Sequence, residues 1–381
     1  MKRIYFIDWM RIIAILVVFL FHNARFYDPM FWHVKNPTTS EAVLPFIGFI
    51  NIWIMPLFFL LSGASAIFSL NKSFGEYVID KVKRLGIPYA FGVLVLIPPQ
   101  KYLEAITQHH YVGNFFQFLG YYFSGGIFNY PFGFSFAWLG LIAYHLWFLA
   151  HLLFISVMLF PVMQYVKNHK EMVIQKMNAL LALPAGVLLL FIPAAIVRVL
   201  LKKSFPQYTD WADFFLYAVY FFNGFLLLLH VDFRKRIIKG IRPAFIIGVL
   251  FFVVYLLSFA MKGTLLNHLF QDNSQFGYYL FQESVGALTT WSWLVVLLGL
   301  GILYLDKEST WRNVLNEAVL PFYCLHQTII LIIGYFIVQL DWSMWSKFFV
   351  IATTSFLITN VIYFLTIKPF KPLRFLFGMK S

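Results

Sequence analysis

Ten stretches of mostly apolar residues, most of them about 20 residues or longer, recur along the chain, and they limit its fold more than any other feature. A helix that crosses about 30 Å of hydrocarbon needs roughly 20 such residues, because each residue rises only about 1.5 Å. The stretches run approximately over 11–27, 44–70, 85–100, 137–163, 179–201, 211–230, 241–261, 286–305, 318–340 and 347–367. Runs this long satisfy their backbone in lipid only as helices, since a barrel would show short alternating strands. The composition agrees: 61% of the residues are hydrophobic and only 12% are charged, about half the charged fraction of a soluble domain. A soluble globular domain and a disordered chain are thereby excluded, and the single cysteine, Cys324, excludes a disulfide scaffold. The expected fold is all-α, a polytopic membrane bundle of about ten helices forming one membrane-embedded domain over 1–381.

The first stretch begins like a secretion signal, with Lys2 and Arg3 ahead of an apolar run. It continues into His22-Asn23-Ala24-Arg25-Phe26 rather than a small-residue cleavage site, so it is read as a retained helix. With ten spans both termini fall on one side. Of the 29 Lys and Arg residues, 20 lie in the loops and tails on the terminus side, 8 on the other, and Arg11 lies within the first span. By the positive-inside rule both termini are expected in the cytoplasm. No segment is long enough for a soluble second domain, and no internal repeat is visible. The longest opposite-side connection, Lys101 to Phe136, is aromatic and Gly-rich, as in Tyr130-Pro131-Phe132-Gly133, which suits an interfacial loop and also a surface for sugar stacking.

Ionisable residues inside a span are costly, so each calls for a partner or a task. Arg11 and His22 are eleven residues apart on the first helix, which places them within about 20° of one stripe and roughly 16 Å apart along the axis. Asp8 stands one turn before Arg11 and can pair with it. Taken singly, Arg11 is explained by snorkelling to the interface and His22 by the end of the helix. Together they form a stripe with a guanidinium at one end and, at the other, an imidazole able to act as general base or nucleophile.

Further candidates lie along the chain. The second span carries Ser62-Gly63, small residues that permit close helix approach, and the sixth carries Asn223, an amide expected to pack between helices. The basic loop Lys81-Val82-Lys83-Arg84 suits an anionic headgroup or a soluble phosphate ligand, and equally an ordinary orienting loop. His145-Leu146-Trp147-Phe148-Leu149-Ala150-His151 places Trp147 and His151 one turn apart, with His145 on another face. In Phe322-Tyr323-Cys324-Leu325-His326-Gln327, Tyr323 and His326 are one turn apart. A buried histidine satisfied by a neighbouring helix is the plainer reading of each. Cys324, with no adjacent cation, reads as an inert buried thiol.

His109-His110 without carboxylates at ligand spacing is a weak metal signal, and no metal site is expected. No phosphate loop, nucleophile elbow or zinc-protease motif is present. The cations flank the membrane rather than forming a nucleic-acid surface, so nucleic acid is set aside. A secondary transporter or glycan flippase is the competing class, with intramembrane charges lining a path, but the matching halves usual in transporters are not found. A membrane scaffold without enzymatic activity leaves the Asp8, Arg11, His22 stripe unexplained.

Taken together, these motifs resemble the membrane acyltransferase-3 family. Ile7-Asp8-Trp9-Met10-Arg11 through His22 is similar to that family's arginine, ten residues, histidine pattern. Leu57 to Gly63, Lys81 to Leu85 with Pro88, His145 to Leu149 and Phe322 to Gln327 are supporting matches, in order over residues 7–327. The last two resemble the branch of the periplasmic glucan succinyltransferase. Some relatives carry a further hydrolase-like domain after the last span; here acceptor choice is expected from the outer loops and the bundle. The resemblance implies a multi-pass protein of the bacterial cytoplasmic membrane that moves an acetyl or succinyl group to a hydroxyl of an extracytoplasmic glycan. It implies acyl-CoA as co-substrate, with no tightly bound cofactor, its phosphates held by Arg11, Lys81, Lys83 and Arg84. His22 and Arg11 become the catalytic candidates, and Trp147, His145, Tyr323 and His326 candidates for lining the path or positioning the acceptor. Acyl group, acceptor and oligomeric state are left open.

Overall fold

The computed structural model describes residues 4–126, 135–183, 185–260 and 275–379, and every regular element among them is helical. In chain order the first long helices are α1 (Tyr5–Ala24), α2 (Glu41–Ser69), α3 (Phe74–Gln108) and α4 (Ala137–Asn168). Two shorter ones, α5 (Lys170–Ala182) and α6 (Gly186–Leu201), precede α7 (Trp211–Leu227). The rest are α8 (Val231–Val254), α9 (Gly277–Tyr304), α10 (Thr310–Ile337) and α11 (Met344–Ile367). Among the described residues eight helices are long and apolar enough to cross a membrane, namely α1–α4 and α8–α11. The protein is thus an all-helical polytopic membrane protein, with about eight candidate spans where the apolar stretches suggested ten.

The difference lies in two stretches. That over 179–201 is divided between α5 and α6, which meet at 116°, with Ala185 in the left-handed region at φ 52°. That over 211–230 becomes α7, 17 residues long, which reaches about 26 Å at 1.5 Å per residue. Hydropathy counts apolar residues but does not register a bend or an early end. The aromatic run Tyr130–Gly133 lies outside the described residues.

Three π-turns, Val82–Gly86, Gly92–Leu96 and Tyr363–Ile367, widen α3 and α11. Each ends two residues before a proline, at Pro88, Pro98 and Pro369. The residue just before the proline donates its N–H five residues back: Ile87 to Val82, Ile97 to Gly92 and Lys368 to Tyr363. A proline has no N–H to give and its ring crowds the carbonyl four residues back, so a widened turn relieves both problems. The basic segment expected as a loop is therefore helical, with Lys81 at the edge of the first π-turn and Lys83 and Arg84 within it. Lys101 to Gln108, expected in the longest connection, is likewise the end of α3.

The described chain forms two compact units. The first comprises 1–10, 52–77 and 155–308, the second 11–51, 78–154 and 309–381. In the first unit α2 and α7 cross on glycines: a Cβ at Gly63 would stand 1.7 Å from the Phe221 carbonyl oxygen, and one at Gly224 would stand 2.0 Å from that of Leu60. Only residues without a side chain allow backbones this near, as the Ser62-Gly63 pattern suggested. Asn223 does pack between helices, donating to the Leu190 carbonyl at 3.0 Å. Trp291, fully buried, donates to that of Val187 at 2.8 Å. Charges here meet opposite charges, Arg198 with Glu283 at 2.7 Å and Lys202 with Asp213 at 2.8 Å. Asp306 accepts from the Tyr5 and Phe6 amides at 3.0 and 3.3 Å, supplying from a distance the cap that the start of α1 lacks.

In the second unit α3 and α10 are tied by amides and a hydroxyl. Gln100 donates to Thr328 at 2.7 Å, Thr328 to the Leu96 carbonyl at 3.0 Å, and Gln327 to Gln100 at 3.1 Å. The segment after α1 folds back on itself through Asn36 N–H to Phe26 and Ser40 N–H to Tyr27, at 2.9 and 2.7 Å. The buried Lys347 of α11 holds it by donating to Asn36 at 3.1 Å.

Candidate active site

The second unit brings together three histidines from distant parts of the chain. His22 ends α1, and His326 is fully buried on α10. His326 Nδ1 lies 2.7 Å from the Tyr323 carbonyl oxygen. A carbonyl only accepts, so this nitrogen carries the proton, and Nε2 of the neutral ring is left as an acceptor. His22 Nδ1 lies 2.8 Å from that Nε2 and must donate to it. The chain of bonds fixes the tautomer of both rings and leaves His22 Nε2 with a bare lone pair, the form a general base or nucleophile requires. The two rings stack at 5.0 Å, and Phe322 lies nearly parallel to His326 at 6.1 Å.

His145 joins them because of the backbone just before it. Tyr144 has φ 47° and ψ −126°, a left-handed conformation that a bulky residue adopts only under strain. This breaks α4 between Ala143 and Trp147 and sets His145 edge-on to His326 at 5.2 Å and to His22 at 6.3 Å. His145 Nε2 donates to the Cys324 carbonyl at 3.2 Å, so its Nδ1 is the bare nitrogen, buried and without a hydrogen-bond partner among the described residues. The Tyr323 hydroxyl donates to the His145 carbonyl and holds the break in place. Tyr144 donates to Glu104 at 3.0 Å, and Lys101 sits over its ring at 4.4 Å.

The segment following α1 contributes two more rings. Trp32 stacks on His22 at 5.5 Å with an interplanar angle of 21°, and His33 follows it, bonded through Nδ1 to Glu104. Arg25 pairs with Asp28 at 2.8 Å and donates to the Phe31 carbonyl at 2.6 Å, while Lys35 donates to the carbonyls of Arg25 and Asp28. Burial brings the Lys35 ammonium down to about 8 against the pull of Asp28. These cations are engaged in shaping the segment that presents Trp32.

Of the candidates from sequence, His22, His145 and His326 meet. Tyr323 lies beside them, its hydroxyl engaged with the His145 backbone. Trp147 is buried against His151 at 5.0 Å and Phe148 at 6.5 Å. Cys324, buried, enters through its carbonyl rather than its thiol. Arg11 is partly exposed on α1 and Asp8 is buried one turn earlier, in the first unit; Lys83 and Arg84 are exposed, with Arg84 3.3 Å from Asp80. Sequence reasoning did not single out Trp32, His33, Glu104 or Tyr144. The one signal available was Glu104 close behind an apolar run.

Helices α1, α4 and α10 of this polytopic protein thus bring three imidazoles together, with ring nitrogens of His22 and His145 left as acceptors. The family model described as an acyltransferase domain matches residues 4–364, and the chain belongs to that family, acyltransferase-3, as a membrane O-acyltransferase. Among curated proteins it is similar to the glucans biosynthesis protein C of Salmonella paratyphi B, Salmonella heidelberg and Salmonella enteritidis PT4. Each is 24% identical over 350 residues, covering 88% of this chain and 84% of the relative. No solved structure matches the chain.

Proposed function

We propose that the protein transfers an acyl group, acetyl or succinyl, from cytoplasmic acyl-CoA to a hydroxyl of an extracytoplasmic glucan, across the bacterial cytoplasmic membrane. The observation that carries this reading is the bare Nε2 of His22, held by the bond from His22 Nδ1 to His326. The bias of 20 cations to 8 supports cytoplasmic termini and hence a cytoplasmic Arg11 end. The relatives' name supports a glucan acceptor.

Phosphates of the donor are held by Arg11 with Lys81, Lys83 and Arg84 through charge-assisted bonds. An extended pantetheine arm is of the same order as the roughly 16 Å from Arg11 to His22, so the thioester reaches the imidazole while the nucleotide stays at the cytoplasmic face. His22 Nε2 takes the proton of the acceptor hydroxyl as its oxygen bonds to the thioester carbon. The C–S bond then breaks, and the proton passes from His22 to the departing sulfur. Nδ1–H, already donating to His326, steadies the positive charge while Nε2 holds that proton. The same nitrogen is also able to carry the acyl group transiently, and a labelled acyl group trapped on the protein would select that route.

Purified protein is expected to be thermally stabilised by coenzyme A. Arg11→Ala weakens that stabilisation, whereas His22→Ala keeps it and abolishes transfer of labelled acyl group. Undiminished transfer by His22→Ala overturns the catalytic assignment.

A further inference from the structure

Two polar atoms beside His22 are buried with nothing to bond among the described residues: Trp32 Nε1, a donor, and His145 Nδ1, an acceptor. Their residues are 9% and 7% exposed, so bulk water does not explain them. Trp32 lies against the face of His22 at 5.5 Å, and His145 stands edge-on to it at 6.3 Å. Other buried atoms of the described residues also lack a hydrogen-bond partner, but these two, a donor and an acceptor, both belong to rings packed against His22.

We propose that Trp32 and His145 are the acceptor subsite, and that they recognise hydroxyls adjacent to the one that is acylated. The inference rests on the transfer reaction proposed above and names what its acceptor must offer. A thioester and the acyl carbons beside it carry no O–H or N–H for His145 Nδ1, and a bond from the pantetheine amide N–H instead would show as a raised KM for acyl-CoA in the test below. A simple alcohol has one oxygen, and that oxygen must face His22 Nε2. A sugar ring presents further hydroxyls on neighbouring carbons, each able to donate and to accept. One takes the Trp32 N–H and another gives its proton to His145 Nδ1, which turns the attacking hydroxyl toward His22. Trp32 and His145 are binding residues in this scheme; no bond to either forms or breaks.

The test uses the full-length protein in detergent, with labelled acetyl-CoA or succinyl-CoA as donor and soluble glucose oligosaccharides as acceptor. Trp32→Phe keeps the ring and removes the N–H, and His145→Gln removes the bare nitrogen while keeping a donor toward the Cys324 carbonyl. Each is expected to raise the KM for oligosaccharide about tenfold, with the KM for acyl-CoA and the stabilisation by coenzyme A unchanged. An unchanged oligosaccharide KM overturns the inference, as does a parallel rise in both KM values, which marks lost packing. If His145→Gln does not fold, Trp32→Phe decides alone. If the wild-type protein transfers neither acyl group to any oligosaccharide, the proposed function fails and takes this inference with it. Transfer by the wild type with unaltered variants removes the inference only.

Discussion

The two units use their ionisable residues in different ways. In the first, Arg198, Lys202 and Arg234 each lie beside a carboxylate, at 2.7, 2.8 and 3.5 Å, and its helices close on Gly63 and Gly224. In the second, three imidazoles gather with one another instead, with Tyr144 in a left-handed conformation just before His145. In a medium of low dielectric a charge beside its opposite is neutralised, while neighbouring imidazoles can do no more than share hydrogen bonds in chosen tautomers. The proposed transfer reaction draws on the second unit's imidazoles, and the first unit's paired charges and close helix crossing are the comparison for it.

The strongest way to break this contrast is at His326. If its service is to hold the His22 tautomer, His326→Phe lowers the transfer rate by about 100-fold or more and leaves stabilisation by coenzyme A in place. A transfer rate near wild type in single-turnover assays would reduce His326 to a packing residue. Gly63→Ala probes the other side. Its methyl group has no room against Phe221, so the variant loses about 1–3 kcal/mol of stability, read as a lower thermal midpoint, while the folded fraction keeps its rate. A rate that falls in step would mean that the first unit shares in the chemistry.

The smallest effect sharpens the picture of the segment carrying Trp32. A free lysine titrates near 10.4, whereas Lys35 comes down to about 8 in the fold. Between these values the unfolded chain holds more protons than the folded one, so stability rises with pH across that window. Lys35→Met is expected to lessen that rise, measured as thermal midpoints between pH 7.5 and pH 10.

Much of this was legible in the chain. Apolar runs gave the helical membrane fold, and helical spacing gave the stripe from Arg11 to His22. His145 and His326 stood out as ionisable residues within spans, but nothing local says that His326 meets His22 across 304 positions. Trp32 and His33 sit in a connection with no periodicity to display them. Glu104 fell beyond a span read as ending at residue 100, because the prolines in that region were not read as a helix that widens and continues. The left-handed Tyr144 carries no mark in sequence, since most residues in such positions are Gly or Asn.

The π-turns of α3 also bear on which changes the chain can tolerate over time. Each holds one residue more than the α-turn it replaces and so resets the facing of everything after it by about 100°. α3 does this twice before reaching Gln100, which meets Thr328 at 2.7 Å, and Glu104, which meets His33. Loss of one residue from either turn would leave a more regular helix whose later side chains point elsewhere. Between Lys81 and Gln100, then, the number of residues is constrained as well as the identity of a few of them. Exposed apolar positions such as Leu94 and Val95 should exchange freely among apolar types, while single-residue insertions and deletions are purged.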